Sequence, residues 1–100
     1  MNICVLHKDH SPNLLVPQHH HVVPQSWYEG GKAPASAEVI VVGDTCHSNV
    51  HYALDQMVYA GGPENVTWSV KKHIGRAEWA VAVQGYGQAL MLGLTPKPTL

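Results

Sequence analysis

The chain is short of most features that settle a protein's class at once. It has two cysteines, Cys4 and Cys46, and no Cys-x-x-Cys pair, which excludes a four-cysteine zinc ribbon. No apolar run reaches the ~18 residues of a membrane span, and no basic segment leads into an apolar one near residue 1. An intracellular, soluble protein with no membrane partner is therefore expected. Charge is also sparse: 6 Lys+Arg against 7 Asp+Glu leave a net charge of −1. That is not the basic excess by which a chain holds nucleic acid through phosphate neutralisation, so affinity for bare DNA is expected to be modest. There is no internal repeat. One hundred residues fit one small domain, whose core alone stabilises it weakly.

Histidine is what the chain has in quantity, with eight in all. His20 and His21 run into Val22-Val23-Pro24, and His47 and His51 sit within Cys46-His47-Ser48-Asn49-Val50-His51. Residues four apart on a helix are rotated by only about 40°, so His47 and His51 share a face and both can ligate one ion. Adjacent residues on a strand point to opposite faces, so at most one of His20 and His21 joins that ion and the other is free to handle a proton. Three protein ligands with open positions describe a catalytic metal better than a structural one, which usually closes with four. Cys46 is rotated by about 100° from His47, which places it poorly as a fourth ligand. The other histidines, His7, His10, His19 and His73, carry no such pattern.

The surrounding residues supply the elements. The span 13–23 is apolar around Pro17, which removes a ladder donor, so two short extended pieces are expected, the second carrying residues 19–23. Residues 24–37, with Gly30, Gly31 and Pro34, read as a long loop. Val39-Ile40-Val41-Val42 is four β-branched residues in a row and the clearest strand. Asp44 or Thr45 then caps a helix whose Val50, Ala53, Leu54, Met57 and Val58 recur at helical spacing until Gly61-Gly62-Pro63. A short helix with Trp68 and Val70 is expected within 63–74. A last helix over 76–92 offers Ala77, Ala80, Val81 and Val83 for packing and is weakened by Gly85 and Gly87. Trp68, Trp79, Met57 and Val81 read as core.

Together, His20-His21-x-x-Pro24 and Cys46-x-x-x-x-His51 resemble the HNH endonuclease family, in particular small phage-type members in which a His-His-x-x-Pro strand precedes a Cys-x-x-x-x-His helix segment. The resemblance covers residues 19–54 well and the whole chain loosely. It implies a ββα-metal finger at 13–60, a hairpin with a long loop plus a helix; with the one or two helices read from the residues at 63–93 and a tail at 94–100 that Pro96 and Pro98 mark as disordered, the expected fold is α+β. It assigns His20, His47 and His51 as metal ligands and His21 as the general base. The pair His47-x-x-x-His51 is like that of nuclease colicins. Where the family commonly has Asn, nine residues before the position of His47, this chain has Glu38, whose ionised carboxylate only accepts hydrogen bonds. Glu38 is thus a candidate for orienting the loop or for standing behind the ligands.

The activity implied is hydrolysis of phosphodiester bonds in double-stranded DNA, with His21 activating water and a divalent ion stabilising the transition-state charge and the leaving oxygen. All-imidazole ligation favours Zn²⁺, Ni²⁺, Co²⁺ or Mn²⁺ over Mg²⁺, which is tolerated but prefers oxygen. Lys71, Lys72 and Arg76 form a local basic run with His73 and are candidate DNA contacts. By family analogy the setting is the cytoplasm of a bacterial host and the partner a phage packaging (terminase) protein. The alternative is a catalytically inactive, zinc-stabilised interaction module on the same fold, which the low basic charge and Glu38 favour.

Overall fold

The computed structural model describes residues 17–99. The expectations for Cys4, His7, His10, residues 1–12 and the first extended piece at 13–16 lie outside the described residues. The described chain is α+β: an antiparallel hairpin of β1 (Pro17–His21) and β2 (Val39–Gly43), then α1 (Asp44–Ala60), a short α2 (Trp68–Lys71) and α3 (Arg76–Met91). No helix among the described residues is long and apolar enough to cross a membrane.

β1 begins at Pro17 and ends at His21, two residues earlier than the expected strand end. Pro17 is the first strand residue, where its missing N–H costs no ladder bond. The register pairs Gln18 with Val42, His19 with Val41, His20 with Ile40 and His21 with Val39. One further backbone bond, from Val22 N–H to the Glu38 carbonyl at 3.1 Å, ties the hairpin beyond its last strand pair. The intervening loop is not featureless. It holds single 3-10 turns at Gln25–Trp27 and Glu29–Gly31, and the first of these buries Trp27.

α1 starts before either expected cap, Asp44 or Thr45: Gly43 is the N-cap, and Asp44, already helical, accepts the Thr45 N–H at 2.9 Å through its carboxylate. Its end is as expected. Gly61 takes φ 86, a conformation that costs glycine little, and its N–H and that of Gly62 close on the Met57 carbonyl at 3.0 and 2.9 Å. Val50, Ala53, Leu54 and Met57 face a core completed by Val23, Trp27, Ile74, Ala82 and Ala89. Full burial of a side chain the size of Leu54 or Met57 stabilises by about 1.5–3 kcal/mol. Cys46 turns the other way and packs with Val42 and Ile40 under the hairpin.

Three sequence expectations need correction here. Trp68 is not core but 72 % exposed. α3 does not bury the face of Ala80 and Val83, which are exposed; the buried stripe is Glu78, Ala82, Gly85 and Ala89. Its cause is close approach, because a Cβ on Gly85 would collide with the Val22 carbonyl oxygen. A helix interface of small residues lets the backbone after β1 lie directly on α3. Third, the segment after α3 is not disordered through residue 99. The Trp27 indole N–H donates to the Lys97 carbonyl at 2.6 Å, and Thr99 donates to Asp55 Oδ1 from both its N–H (2.8 Å) and its hydroxyl (2.9 Å). Pro96 and Pro98 preclude regular structure there but hold the segment extended, so other elements' side chains bind its backbone.

Candidate metal centre

Strand alternation decides which of the adjacent histidines enters the site. Gln18 and His20 point from β1 toward α1, whereas His19 is exposed and His21 half-buried on the other face. His20 is 1 % exposed. Opposite it, the first turns of α1 present His47 and His51 on one face, with ring centroids 5.2 Å from that of His20 in both cases and 4.5 Å from each other. One ring nitrogen from each of the three lies within 4.8 Å of the others, and among the described residues this is the one such cluster of His, Cys, Asp or Glu able to hold an ion. Cys46 does not belong to it, in line with its position on the helix.

Two features make the trio fit a metal better than a hydrogen-bonded cluster. Neither ring nitrogen of His20 has a hydrogen-bond partner among the described residues, and the same holds for His51 Nδ1. A buried polar atom left in this way costs about 1–3 kcal/mol, which a coordinate bond would remove. Second, the three rings are held neutral, the form that ligates. Burial, reinforced by the neighbouring rings of His51, His47 and His21, pushes His20 down from the ordinary 6.5 to about 3. Burial lowers His47 as well. His51 is lowered by burial and by His47, with partial relief from the Asp55 carboxylate.

The ring of His47 is also oriented. Gln18 Oε1 accepts from His47 Nδ1, which leaves the lone pair on Nε2, the atom that faces His51 Nε2 at 2.9 Å. Tetrahedral zinc at a Zn–N bond of about 2.0–2.1 Å separates its ligand atoms by about 3.3 Å, so the two nitrogens need to part by only a few tenths of an ångström.

His47, His51 and Thr99 border two adjoining cavities. One, of about 390 Å³, is completed by Ser48, Tyr52 and Asp55. The other, of about 220 Å³, is completed by His19, His21, Pro24, Gln25 and Ser26. His21 therefore reaches the open side of the histidine cluster while staying out of it. Glu38 neither belongs to the cluster nor borders these cavities: its carboxylate is exposed and accepts from Gln84 Nε2 of α3 at 3.1 Å, so it ties hairpin to helix rather than approaching the three histidines. Lys71, Lys72 and Arg76 stand apart around a separate cavity with Trp68 and Trp79.

Sequence reasoning missed three participants. Gln18 lies two residues before His20 on a strand, so alternation alone would have placed it on the ligand face. Asp55 continues the spacing of four from His47 and His51, which puts it on the same helical stripe. His19 shares the second cavity with His21, as its strand parity allows. No family model, curated protein or solved structure matches the chain.

Proposed function

We propose that this chain is a divalent-metal-dependent endonuclease of the HNH type, built on a ββα-metal finger, that hydrolyses phosphodiester bonds of double-stranded DNA. The observation that carries the reading is His20: a fully buried imidazole with no hydrogen-bond partner at either nitrogen among the described residues, facing the ring nitrogens of two helical histidines. The order of hairpin and helix, with one histidine on the strand's inner face and its neighbour on the outer, supports it.

His20, His47 and His51 would hold the ion, with Zn²⁺, Ni²⁺, Co²⁺ and Mn²⁺ preferred by an all-imidazole set. Bound there, it supplies Lewis acidity to the phosphate and to the leaving oxygen. His21 takes the proton of the attacking water in the cavity it shares with His47 and His51. Gln18 keeps His47 in the ligating tautomer, and burial keeps His20 neutral. Lys71, Lys72 and Arg76, grouped around their separate cavity, are the cluster of cations that a chain of net charge −1 offers to DNA phosphates away from the histidines.

The second reading is a zinc-stabilised interaction module without cleavage. What favours it is Glu38, held by Gln84 where the family's loop-tying amide is expected. Incubation of the purified protein with supercoiled plasmid, across Zn²⁺, Ni²⁺, Co²⁺, Mn²⁺ and Mg²⁺ and with chelator, separates them. Chelator-sensitive nicking or linearisation supports the nuclease, and a protein that binds one equivalent of metal but cuts with none of the five is the module.

A further inference from the structure

Half of the chain's fixed positive charge gathers at one place outside the histidine cluster. Of 6 Lys and Arg, three, Lys71, Lys72 and Arg76, line a cavity of about 380 Å³ together with Trp68, Ile74 and Trp79. Two of the three tryptophans are there, and among the described residues no acidic side chain lines it. The cations come from the end of α2 and the start of α3, and none of them has an anionic partner among the described residues. Lys71 Nζ stands 4.7 Å above the Trp79 ring, a cation–π contact that positions the ammonium and occupies that indole face. Trp68, 72 % exposed, is left as a bare aromatic platform beside them.

We infer that this cavity binds an unpaired nucleotide of a DNA strand, its base stacked on Trp68 and its phosphates held by Lys71, Lys72 and Arg76. An aromatic face bordered by cations is the chemistry by which proteins hold single strands irrespective of sequence, through base stacking and backbone neutralisation. The volume lies near the low end of small-molecule sites, about 300–1,000 Å³, and suits one nucleotide rather than a helix or a sheet edge. An acidic peptide would satisfy the cations but leave the Trp68 face unused, and a lipid surface would not fill a concave site. The inference deepens the nuclease reading and rests on it only for the choice of DNA. The protein would grip a frayed, nicked or locally opened segment of DNA at this cavity.

Binding is read without cleavage, so the two ideas fail separately. Fluorescein-labelled oligo(dT) of twelve nucleotides is titrated in the presence of chelator, with anisotropy and tryptophan quenching as readouts, beside an oligo(U) strand, the duplex of equal length and a glutamate peptide of equal charge. Oligo(dT) should bind at least several-fold tighter than duplex or peptide. Trp68→Ala should weaken it about tenfold while Trp68→Phe retains most of the affinity. The exposure of Trp68 spares the core, and unchanged circular dichroism confirms folding. Lys72→Gln and Arg76→Gln should each flatten the salt dependence by about 0.7 in logarithmic slope, one phosphate contact apiece. Equal binding by Trp68→Ala, or tighter binding of duplex or glutamate peptide than of oligo(dT), overturns the inference. Oligo(U) bound tighter than oligo(dT) overturns the assignment to DNA.

Discussion

Gln18 and His47 are joined through an amide oxygen that accepts from the His47 Nδ1–H, twenty-nine residues away along the chain. The bond fixes which nitrogen of His47 carries the lone pair, and it does so from the same strand face as His20. Polar groups behind a metal ligand typically contribute 10–100-fold to affinity. Gln18→Ala should therefore weaken Zn²⁺ binding within about that range while the fold persists, and Gln18→Glu, which keeps an acceptor, should lose much less. Competition with a zinc-sensitive dye measures both. Equal affinity in Gln18→Ala would show that the ring needs no help from the strand.

His20 makes the metal-free protein sensitive to acid. Its folded pKa of about 3 lies below the ordinary 6.5, so between those values the unfolded chain binds a proton that the folded chain does not. Stability is full above pH 6.5 and is lost as pH falls toward 3, by roughly 1 kcal/mol per pH unit from this residue alone, with His47 and His51 acting in the same direction. Urea denaturation of the chelated protein at pH 7.5, 6 and 5 gives the slope. His20→Leu should flatten it and abolish stabilisation by metal. A slope unchanged in that variant would mean that His20 titrates normally.

Asp55 holds the end of the described chain against the site through the two bonds to Thr99. Hydrogen bonds to a charged acceptor are worth about 1.5–3 kcal/mol each at best, less where partly wet. Asp55→Ala should free residues 95–99, seen as loss of hydrogen-exchange protection at the Thr99 amide, and should open both cavities that Thr99 borders. Protection retained in the variant would show that the Trp27 bond to Lys97 suffices.

Gly85 offers a test in which two physical effects have opposite signs. Helix propensity alone favours Gly85→Ala by about 1 kcal/mol. The contact with the Val22 carbonyl oxygen forbids the methyl group, so the substitution should instead destabilise, by roughly 1–3 kcal/mol as overpacking generally does. A midpoint of urea unfolding that rises in Gly85→Ala would refute that close approach.

Much of this was legible in the residues because the decisive signals are periodic and local. Four β-branched residues gave β2, the spacing of four joined His47 to His51, and parity on β1 separated His20 from His21. The rest depends on contacts across the chain that no local pattern encodes. Gly85 reads as a weak helix residue until Val22 is placed against it, and Thr99 reads as a loose end until Asp55 is seen to be its acceptor. Trp68 looks like core from its size alone, and only the placement of α2 at the surface leaves it exposed. Glu38 reads as a loop carboxylate near the site, yet its partner is Gln84, forty-six residues on.

The most direct measurement is the initial rate of supercoiled-plasmid cleavage by the parent and by His21→Ala, each with its metal content determined in the same preparation. His21 borders the cluster without belonging to it, so its removal should leave one equivalent of metal and an intact fold. The expected result is a loss of about 10²–10⁴ in rate, the usual contribution of a general base, at unchanged metal content. Cleavage by His21→Ala at the parent's rate, or a fully metal-loaded parent that does not cut, would contradict the proposal.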